Sequence, residues 1–464
     1  MSEKTTSFYE GLKGKRVAFI GAGVSHRECI EIFCKKGAVV TLCDKKPDLA
    51  AFGPYGETLK ELGVTLSLGE NYLDGLRGQD MIMRTPGFEY FTPALQEAKA
   101  QGAQVTSEME LFFELCPCRK VAVTGSDGKT TTTTLIAEML KHAGRTVHLG
   151  GNLGRALLPV VDTIAEDDIA VVELSSFQLI SMRTSPQIAV VTNVTPNHLD
   201  HHKDMQEYID AKRNILLYQT AQDKAVLGYE NEVTRAMAQE VKGSYCWFTR
   251  FSEVENGAFL CADGMLCMAK DGAVTPILHK SEVALRGEHN LENVLAAAAA
   301  VWDEVDVADI HAVASTFQGV EHRIEPVRTL NGVQWFNDSI ATSPTRVIAG
   351  LRAFDQKMII IAGGSDKGIS FAPLAPELLK HVKVLILTGA TAQKIEDAVR
   401  EHPDFASSGL QILRADDMEQ AVRLAYETAK PGDIVSLSPA CASFDSYPNF
   451  EARGRHYKDL VKRL

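Results

Sequence analysis

A strand-length apolar run that meets a glycine-bearing turn and then a helical stretch recurs along this chain. The first example joins the apolar run at residues 17–21 to a helical stretch near 25–36 and a second apolar run at 39–44. Strand, turn, helix and strand in this order form a βαβ unit, so the sequence predicts an α/β fold with parallel sheets. Comparable units open at residues 120–124 and near Val320. The last unit contains four runs typical of buried parallel strands, at residues 333–337, 358–362, 384–388 and 434–437.

The chain has 464 residues, more than one hydrophobic core usually serves. We therefore predict three domains, at residues 1–107, 108–319 and 320–464. The first and the third are expected to be Rossmann-like. Three dipeptides typical of β-hairpin turns fall in the central domain: Asn256-Gly257, Asp263-Gly264 and Asp271-Gly272. We therefore predict a small antiparallel sheet beside the parallel sheet of that domain.

The acidic balance of the chain limits what it can bind. Its formal net charge is -12, so we expect no bulk attraction to nucleic acid or to an anionic membrane. The N-terminus lacks the apolar core of a signal peptide, and the longest apolar run, residues 295–302, is too short to span a bilayer. Nine scattered cysteines without paired CxxC motifs are typical of reduced thiols. We predict a cytoplasmic protein with no nucleic-acid partner and no membrane insertion.

The segment Thr-Gly-Ser-Asp-Gly-Lys-Thr-Thr at residues 124–131 follows a predicted strand and precedes a predicted helix. This setting is typical of a phosphate-binding loop, in which glycines let backbone N–H groups surround the phosphates of a nucleotide. Lys129 would bridge the β- and γ-phosphates of ATP, and Thr130 would hold Mg²⁺. The alternative is a helix that merely begins near a lysine. We interpret the central domain as a P-loop ATPase domain, although its loop is shorter than the common pattern.

Glu173 and His198 follow two further strand-like runs of the central domain. Sites in α/β proteins gather at the carboxyl edge of the sheet, so Glu173 is a candidate ligand for Mg²⁺, which prefers oxygen. The alternatives are a capping or solvent-facing acid for Glu173 and a backbone-bonded histidine for His198. The His and Asp content of residues 192–202 also suggests zinc, but the absence of Cys or an HExxH motif makes zinc the weaker interpretation.

Short motifs distributed over the whole chain resemble those of the Mur ligases, which build the peptide stem of bacterial cell-wall precursors. They lie at residues 125–130, 151–152, 173–178, 193–200, 287–293, 322–323 and 337–339. The string Leu-Ser-Pro-Ala-Cys-Ala-Ser-Phe-Asp at 437–445 resembles the signature of the branch that adds D-glutamate. The resemblance implies an ATP-dependent ligase that joins D-glutamate to UDP-N-acetylmuramoyl-L-alanine through an acyl phosphate, in peptidoglycan precursor synthesis. We expect it to act as a monomer.

The resemblance also assigns roles to residues of the central and C-terminal domains. The implied ATP-binding residues are Gly125, Ser126, Asp127, Gly128, Lys129, Thr130, Thr131, Asn290, Asn293, Arg323 and Asp338. Two Mg²⁺ ions would be held by Thr130, Glu173, His198 and Lys212. The implied catalytic residues are Lys129, Asn152, Glu173, His198 and Lys212.

Lys212 is further implied to be carbamylated by CO₂, which would turn an ammonium into an anionic oxygen ligand. This reaction needs the neutral amine, so burial should lower the pKa of Lys212 from its ordinary value of about 10.4. The alternative is an exposed lysine on a helix.

Gly21, Gly23 and Asp44 of the first domain resemble a dinucleotide fingerprint. His26 replaces the third small residue, which we expect to compromise close packing of helix on strand. By resemblance, this domain would bind the uridine diphosphate of the precursor rather than NAD. The implied precursor-binding residues are Val24, Ser25, Asp44, Lys45, Lys46, Thr85, Pro86, Gly87, Asn152, Ser175 and Gln178.

The third domain would hold the amino acid. The implied D-glutamate-binding residues are Thr342, Lys367, Ser443, Phe444 and Phe450. Ile340 stands where the family usually has lysine, and we hypothesise that Arg346 supplies the missing positive charge. There are two alternative functions. A sibling amide ligase such as folylpolyglutamate synthetase is disfavoured by the first domain and by the Ser443-Phe444 string, and an NAD-dependent oxidoreductase or NAD-sensing binding module leaves the phosphate loop unexplained.

Overall fold

The computed structural model describes residues 3–152, 156–197, 201–285, 287–366 and 370–464. The chain forms two compact units, Met1–Phe317 and Gln318–Leu464. Each unit has its own sheets and hydrophobic cores. No helix in the described ranges has the length and apolar character needed to cross a lipid bilayer.

The N-terminal part of the first unit contains a parallel sheet. Its strands are β1 (Arg16–Ile20), β2 (Val39–Asp44), β3 (Thr65–Leu68), β4 (Met81–Met83) and β5 (Gln104–Thr106). Its helices are α1 (Glu3–Glu10), α2 (Val24–Lys35), α3 (Pro54–Glu61) and α4 (Pro93–Ala100). The strand order is β3-β2-β1-β4-β5, so the order reverses at β1, where ligands of such sheets bind. The Rossmann-like prediction is confirmed.

The rest of the first unit is built on a mixed sheet of nine strands. They are β6 (Arg119–Thr124), β7 (Val147–Gly151), β8 (Ile169–Glu173), β9 (Ile188–Val191), β10 (Lys224–Gly228), β11 (Ser244–Thr249), β12 (Gly257–Leu260), β13 (Met265–Lys270) and β14 (Ala273–His279). Their order is β14-β13-β12-β11-β10-β9-β6-β8-β7. The predicted antiparallel pairing is confirmed for β12, β13 and β14, which continue the parallel sheet. The hairpin predicted at Asn256-Gly257 is wrong, because β11 and β12 pair in parallel.

Seven helices accompany this sheet in the described residues. They are α5 (Glu108–Leu115), α6 (Lys129–His142), α7 (Ser176–Leu179), α8 (Met205–Leu217), α9 (Glu232–Met237), α10 (His289–Val301) and α11 (Val307–Thr316). Residues 294–301 of α10 are all buried and mostly alanine. Small side chains let helices approach closely, and α10 packs against α6 in one core. This packing brings the first turn of α10 next to the predicted phosphate loop.

The second unit contains a six-stranded sheet with apolar cores on both faces. Its strands are β15 (Glu325–Leu330), β16 (Val333–Asn337), β17 (Met358–Ala362), β18 (Val382–Leu387), β19 (Gln411–Arg414) and β20 (Ile434–Leu437). Its helices are α12 (Pro344–Leu351), α13 (Ala375–His381), α14 (Ala392–Arg400), α15 (Phe405–Ser408), α16 (Met418–Thr428) and α17 (Phe450–Arg463). The order is β15-β16-β20-β17-β18-β19, with only β15 antiparallel to its neighbour.

Candidate active site

The predicted phosphate loop connects β6 to α6, which begins at Lys129. Gly125 and Gly128 have positive φ angles of 149° and 79°. A Cβ atom on Gly125 would overlap the hydroxyl of Thr192, and one on Gly128 would overlap the side-chain oxygen of Asn293. Both positions therefore require glycine for conformational and steric reasons.

The segment after β9 fixes the loop through hydrogen bonds. Ser126 N donates to Asn193 O at 2.8 Å, and Asp127 N donates to Asn193 Oδ1 at 3.0 Å. Thr192 Oγ1 donates to Asp127 O at 2.6 Å. Because the amides of residues 126 and 127 are engaged in this way, the groups best placed to receive a phosphate are the N–H groups of the first turn of α6, which have no acceptor within the helix.

Glu173 contacts two other residues of the predicted site, Thr130 and Asn152. It ends β8 and is 3% exposed. Its Oε2 accepts a hydrogen bond from Thr130 Oγ1 at 2.7 Å, and its Oε1 accepts one from Asn152 Nδ2 at 2.7 Å. Asn152 directly follows β7, which pairs in parallel with β8. A capping or solvent-facing role for Glu173 is therefore wrong.

The asparagines of α10 lie beside the same loop. Asn293 Oδ1 accepts a hydrogen bond from Thr132 Oγ1 at 3.3 Å, and Asn293 Nδ2 donates to Asn290 Oδ1 at 2.8 Å. Lys129 Nζ donates to Ser126 O at 2.9 Å, so this ammonium lies over the loop. The structure thus places the predicted loop and both predicted asparagines in one neighbourhood.

Lys212 lies on α8 and is only 1% exposed. Its Nζ donates to Gly125 O at 2.7 Å and to Thr124 Oγ1 at 3.3 Å. Burial, aided by the nearby charge of Lys129, holds the pKa of the Lys212 ammonium well below its usual range. The alternative of an exposed helix lysine is wrong, and the lowered pKa shifts the amine toward its neutral form.

His198 lies outside the described residues. Its neighbour His202 is buried, with Nε2 2.9 Å from Ser176 Oγ and Nδ1 3.0 Å from Glu207 Oε1. The ring of His202 also stacks on Phe177 with 5.1 Å between ring centroids. His202 thus joins α7 to α8. Asp200, which with the histidines suggested zinc, also lies outside the described residues.

The predicted precursor site of the first sheet lies where β1 and β2 end. Asp44 Oδ2 accepts a hydrogen bond from Ala22 N at 3.3 Å, and its Oδ1 accepts one from Lys46 N at 3.0 Å. Lys46 Nζ donates to Ala51 O at 2.8 Å. The other predicted residues here flank these in sequence: Lys45, Ser25 in the first turn of α2, and Val24, whose side chain is outside the described part.

His26 fills the space between β1 and α2. Its side chain is fully buried, its Nδ1 lies 2.8 Å from Gly21 O, and its ring packs edge-on against Phe19. Burial lowers the pKa of His26 to about 4, so the ring is neutral at physiological pH. Among the described residues, Nδ1 is paired with Gly21 O whereas the buried Nε2 has no hydrogen-bond partner, so the polarity of the ring is only partly compensated.

The remaining predicted precursor residues lie at three places in the first unit. Residues 85–87 follow β4, and Asn152 contacts Glu173 as described above. Ser175 and Gln178 form a capping box at the start of α7. Ser175 N donates to Gln178 Oε1 at 2.9 Å, and Gln178 N donates to Ser175 Oγ at 3.3 Å. These two predicted ligand contacts therefore also bond to each other.

Asp338 is the acidic residue of the predicted site in the second unit, and its pKa is strongly shifted. It follows β16, is 4% exposed, and accepts a hydrogen bond from Ile324 N at 3.2 Å. Burial raises the pKa of Asp338 to about 7, although the charges of Arg323 and Arg346 oppose this shift. The carboxyl of Asp338 thus titrates near physiological pH.

The predicted amino-acid pocket is described in part, since Lys367 lies outside the described residues. Ser443 is buried, the side chain of Phe444 is 72% exposed, and Phe450 begins α17. Ser339 Oγ donates to Phe450 O at 2.8 Å, which joins two of the predicted motifs.

Arg346 reaches the position where the family lysine is missing. Its Nη1 donates to Ile340 O at 3.2 Å, and Thr342 N donates to the same carbonyl at 2.8 Å. The guanidinium therefore contacts the backbone of the residue that replaces the family lysine, and its role in compensating for that lysine stays a prediction.

Comparison with known proteins gives matches over nearly the whole chain. Three family models match: "Mur ligase MurD-like, N-terminal domain" at residues 15–107, "Mur ligase middle domain" at 123–301, and "Mur ligase, glutamate ligase domain" at 322–441. The UDP-N-acetylmuramoylalanine–D-glutamate ligase of Acetivibrio thermocellus is 49% identical over 466 residues, covering 100% of both chains. The chain belongs to the Mur ligase family.

Further relatives agree with this assignment. The UDP-N-acetylmuramoylalanine–D-glutamate ligase of Clostridium novyi is 44% identical over 464 residues, again covering 100% of both chains. Among solved structures, the UDP-N-acetylmuramate–alanine ligase of Thermotoga maritima has a TM-score of 0.56 at 17% identity, covering 97% of this chain and 99% of that chain. That likeness shows the Mur ligase fold and confirms the predicted fold class.

The chemistry around the phosphate loop of this Mur ligase suits Mg²⁺. Thr130 and Glu173 offer a hydroxyl and a carboxylate oxygen 2.7 Å apart, and Asn152 Nδ2 donates to the other oxygen of the same carboxylate. Mg²⁺ prefers hard oxygen ligands and keeps part of its water, so a few protein oxygens together with nucleotide phosphates satisfy it. The donor set therefore fits a magnesium nucleotide better than a thiophilic metal.

Arg453 on α17 is a residue that the sequence analysis of this Mur ligase missed. It is 3% exposed, and its guanidinium donates to the hydroxyl and carbonyl of Ser339 at 3.0 Å and to the carbonyls of Cys441 and Ala442 at 3.1 Å. It joins the 337–339 motif to the 437–445 string. Its position three residues after Phe450, on the same helix face, was the available signal.

Proposed function

We propose that this Mur ligase joins D-glutamate to the L-alanyl carboxylate of UDP-N-acetylmuramoyl-L-alanine while converting ATP to ADP and phosphate. Full-length relatives at 44–49% identity that carry the name of this activity support the proposal. Residues 1–107 would bind the precursor, 108–319 ATP and 320–464 the amino acid. The enzyme would act as a cytoplasmic monomer in peptidoglycan precursor synthesis.

One observation carries the proposal. The phosphate loop, the Thr130–Glu173–Asn152 network and the buried amine of Lys212 meet at the carboxyl edge of one sheet. Phosphoryl transfer depends mainly on alignment and on charge neutralisation, and this arrangement supplies both.

The proposed reaction has two steps. The precursor carboxylate attacks the γ-phosphorus of ATP, which forms an acyl phosphate and releases ADP. The amine of D-glutamate then attacks the acyl carbon, loses a proton, and the tetrahedral intermediate collapses with release of phosphate. Lys129 and the N-terminal turn of α6 would neutralise charge on the transferred phosphoryl group. Asn152 would orient the attacking carboxylate.

Two Mg²⁺ ions are part of the proposal. When bound, they polarise the phosphoryl oxygens and offset their charge. Thr130 and Glu173 would hold one ion, and His198 and Lys212 the other. The Lys212 amine would add to CO₂ and lose one proton, giving a carbamate whose oxygens can face a cation. Its burial and its depressed pKa both favour the neutral amine that this addition needs.

The test is phosphate release by the purified full-length chain. UDP-N-acetylmuramoyl-L-alanine, ATP and Mg²⁺ are supplied with D-glutamate, and parallel reactions replace D-glutamate by L-glutamate, L-alanine or meso-diaminopimelate. We expect release with D-glutamate and a new precursor whose mass includes one glutamyl residue. Release that follows another amino acid, or none at all, would refute the proposal.

Lys129→Met tests whether the loop acts on ATP. Removing one group that stabilises transition-state charge should lower kcat by about 10²–10³-fold. Near-full turnover by this variant would show that the loop does not serve ATP.

A further inference from the structure

Arg84 is a buried cation outside the residues that the proposed reaction uses. It directly follows β4, and its backbone N–H donates to Thr106 O at 2.8 Å, which extends the pairing of β4 with β5 by one residue. Its side chain is only 1% exposed. A buried guanidinium is costly unless its donors are satisfied, so its partners indicate what it is there to hold.

One nitrogen of the guanidinium organises the loop that follows β4. Arg84 Nη1 donates to the carbonyls of Thr85 at 3.3 Å, Pro86 at 3.2 Å and Phe88 at 3.0 Å. These three acceptors span residues 85–88, so one side chain fixes the backbone of this turn by hydrogen bonds. Residues 85–87 of this turn are proposed to contact the precursor.

The other terminal nitrogen holds a segment far away in sequence. Arg84 Nη2 donates to Phe177 O at 2.8 Å and to Ser181 Oγ at 3.0 Å. Phe177 lies in α7 between Ser175 and Gln178, the second pair of residues proposed to contact the precursor. The same guanidinium therefore touches both segments that would enclose that substrate.

The charge of Arg84 is balanced within the same network. Ser181 Oγ, which accepts from Arg84, donates to Glu110 Oε2 at 3.0 Å. Glu110 is buried on α5, and burial raises the pKa of its carboxyl, a rise that the charge of Arg84 partly offsets. Arg84, Ser181 and Glu110 thus form a continuous chain that ties the loop after β4, α7 and α5 together.

We infer that Arg84 is a positioning residue that sets the distance between residues 85–87 and the first turn of α7, and so shapes the site for the nucleotide-linked precursor. This inference rests on the proposed function. A lysine cannot replace Arg84, because one ammonium has three donors on a single atom and cannot span five acceptors arranged around a planar fork.

The test compares Arg84→Lys and Arg84→Met with wild type in the phosphate-release assay. We expect the KM for the precursor to rise at least about tenfold in both, the equivalent of losing one hydrogen bond to a charged group. The KM for ATP should stay unchanged, since the phosphate loop does not touch Arg84. Calorimetric affinity for the precursor without ATP should fall by a similar factor. Arg183→Met is the matched control, because Arg183 is exposed and donates only to nearby carbonyls of its own loop.

Removal of Arg84 leaves the carboxyl of Glu110 buried, so Arg84→Met is also made together with Glu110→Gln to preserve folding. Thermal unfolding of each variant is measured beside its kinetics. If KM for the precursor is unchanged in a folded variant, the inference is overturned. A joint rise of the KM for the precursor and the KM for ATP also overturns it. So does failure of every variant to fold, since Arg84 is then purely structural. A wild-type chain without D-glutamate-dependent release, but with precursor affinity that depends on Arg84, would contradict the proposed function alone.

Discussion

Replacing Gly128 by alanine tests the placement of α10 against the phosphate loop. Gly128 has a φ of 79°, and its Cβ would overlap the side-chain oxygen of Asn293. A residue with a side chain pays about 1–2 kcal/mol for the left-handed conformation. Relief of the overlap would also disturb the hydrogen bonds of Asn293 with Thr132 and Asn290, each worth about 0.5–1.5 kcal/mol. We expect a total destabilisation of about 2–5 kcal/mol.

Gly144 at the other end of α6 separates the two effects. It has the same φ of 79°, but a Cβ there would meet no atom within 4 Å. Gly144→Ala should therefore cost only the conformational part, about 1–2 kcal/mol. The difference between the two variants, about 1–3 kcal/mol, measures the contact with Asn293.

The assay combines urea unfolding with calorimetric titration of Mg·ATP. Gly128→Ala should weaken nucleotide affinity at least about tenfold, because it moves the first turn of α6, whereas Gly144→Ala should leave affinity unchanged. Equal losses of stability in the two variants, with Mg·ATP affinity retained by Gly128→Ala, would refute the geometry of the loop and of α10.

Three further predictions concern single charged groups. Lys212→Arg introduces a permanent cation that cannot form a carbamate, so ligase turnover should fall about 10²-fold or more while the folded state survives, as followed by phosphate release and circular dichroism. Asp338 has a pKa of about 7 in the folded state, so wild type should lose up to about 4 kcal/mol of stability relative to Asp338→Asn as pH rises from 4 to 7, measured by urea unfolding. Equal pH dependence of the two proteins would contradict that assignment. Arg346→Ala should raise the KM for D-glutamate about tenfold, whereas Arg352→Ala, which removes an exposed partner of Glu377, should not.

Much of the fold could be predicted because several strands are recognisable in the sequence as continuous apolar runs. The runs at 333–337, 358–362 and 434–437 coincide with β16, β17 and β20, since strands covered on both faces are continuous in apolar residues. Turn chemistry was less informative. Asp271-Gly272 adopts positive φ at both positions and forms a hairpin, but Asn256-Gly257 precedes a strand that pairs in parallel. A dipeptide specifies a local turn, whereas the direction of a strand depends on which neighbouring strands it can pair with.

The phosphate loop was predicted from local sequence, because strand, glycines, lysine and helix all lie within one short segment. The contacts made by Asn152 with Glu173, and by Asn293 with Thr132, join residues far apart in the chain. Only the order of strands and the packing of α10 on α6 bring these side chains together. The family resemblance predicted roles for these residues, whereas their contacts became known only from the structure.

Buried basic residues show where a better reading of the sequence was available. The buried positions of α8 are Tyr208, Ala211, Lys212, Ile215 and Leu216, which follow the spacing of one helix face. A lysine inside that apolar stripe cannot be an ordinary surface lysine, so its burial could have been predicted before any family was considered. Arg453 shares the buried face of α17 in the same way. Arg84 has no such signal, because it lies in a loop without periodicity, and only its five acceptors reveal its role.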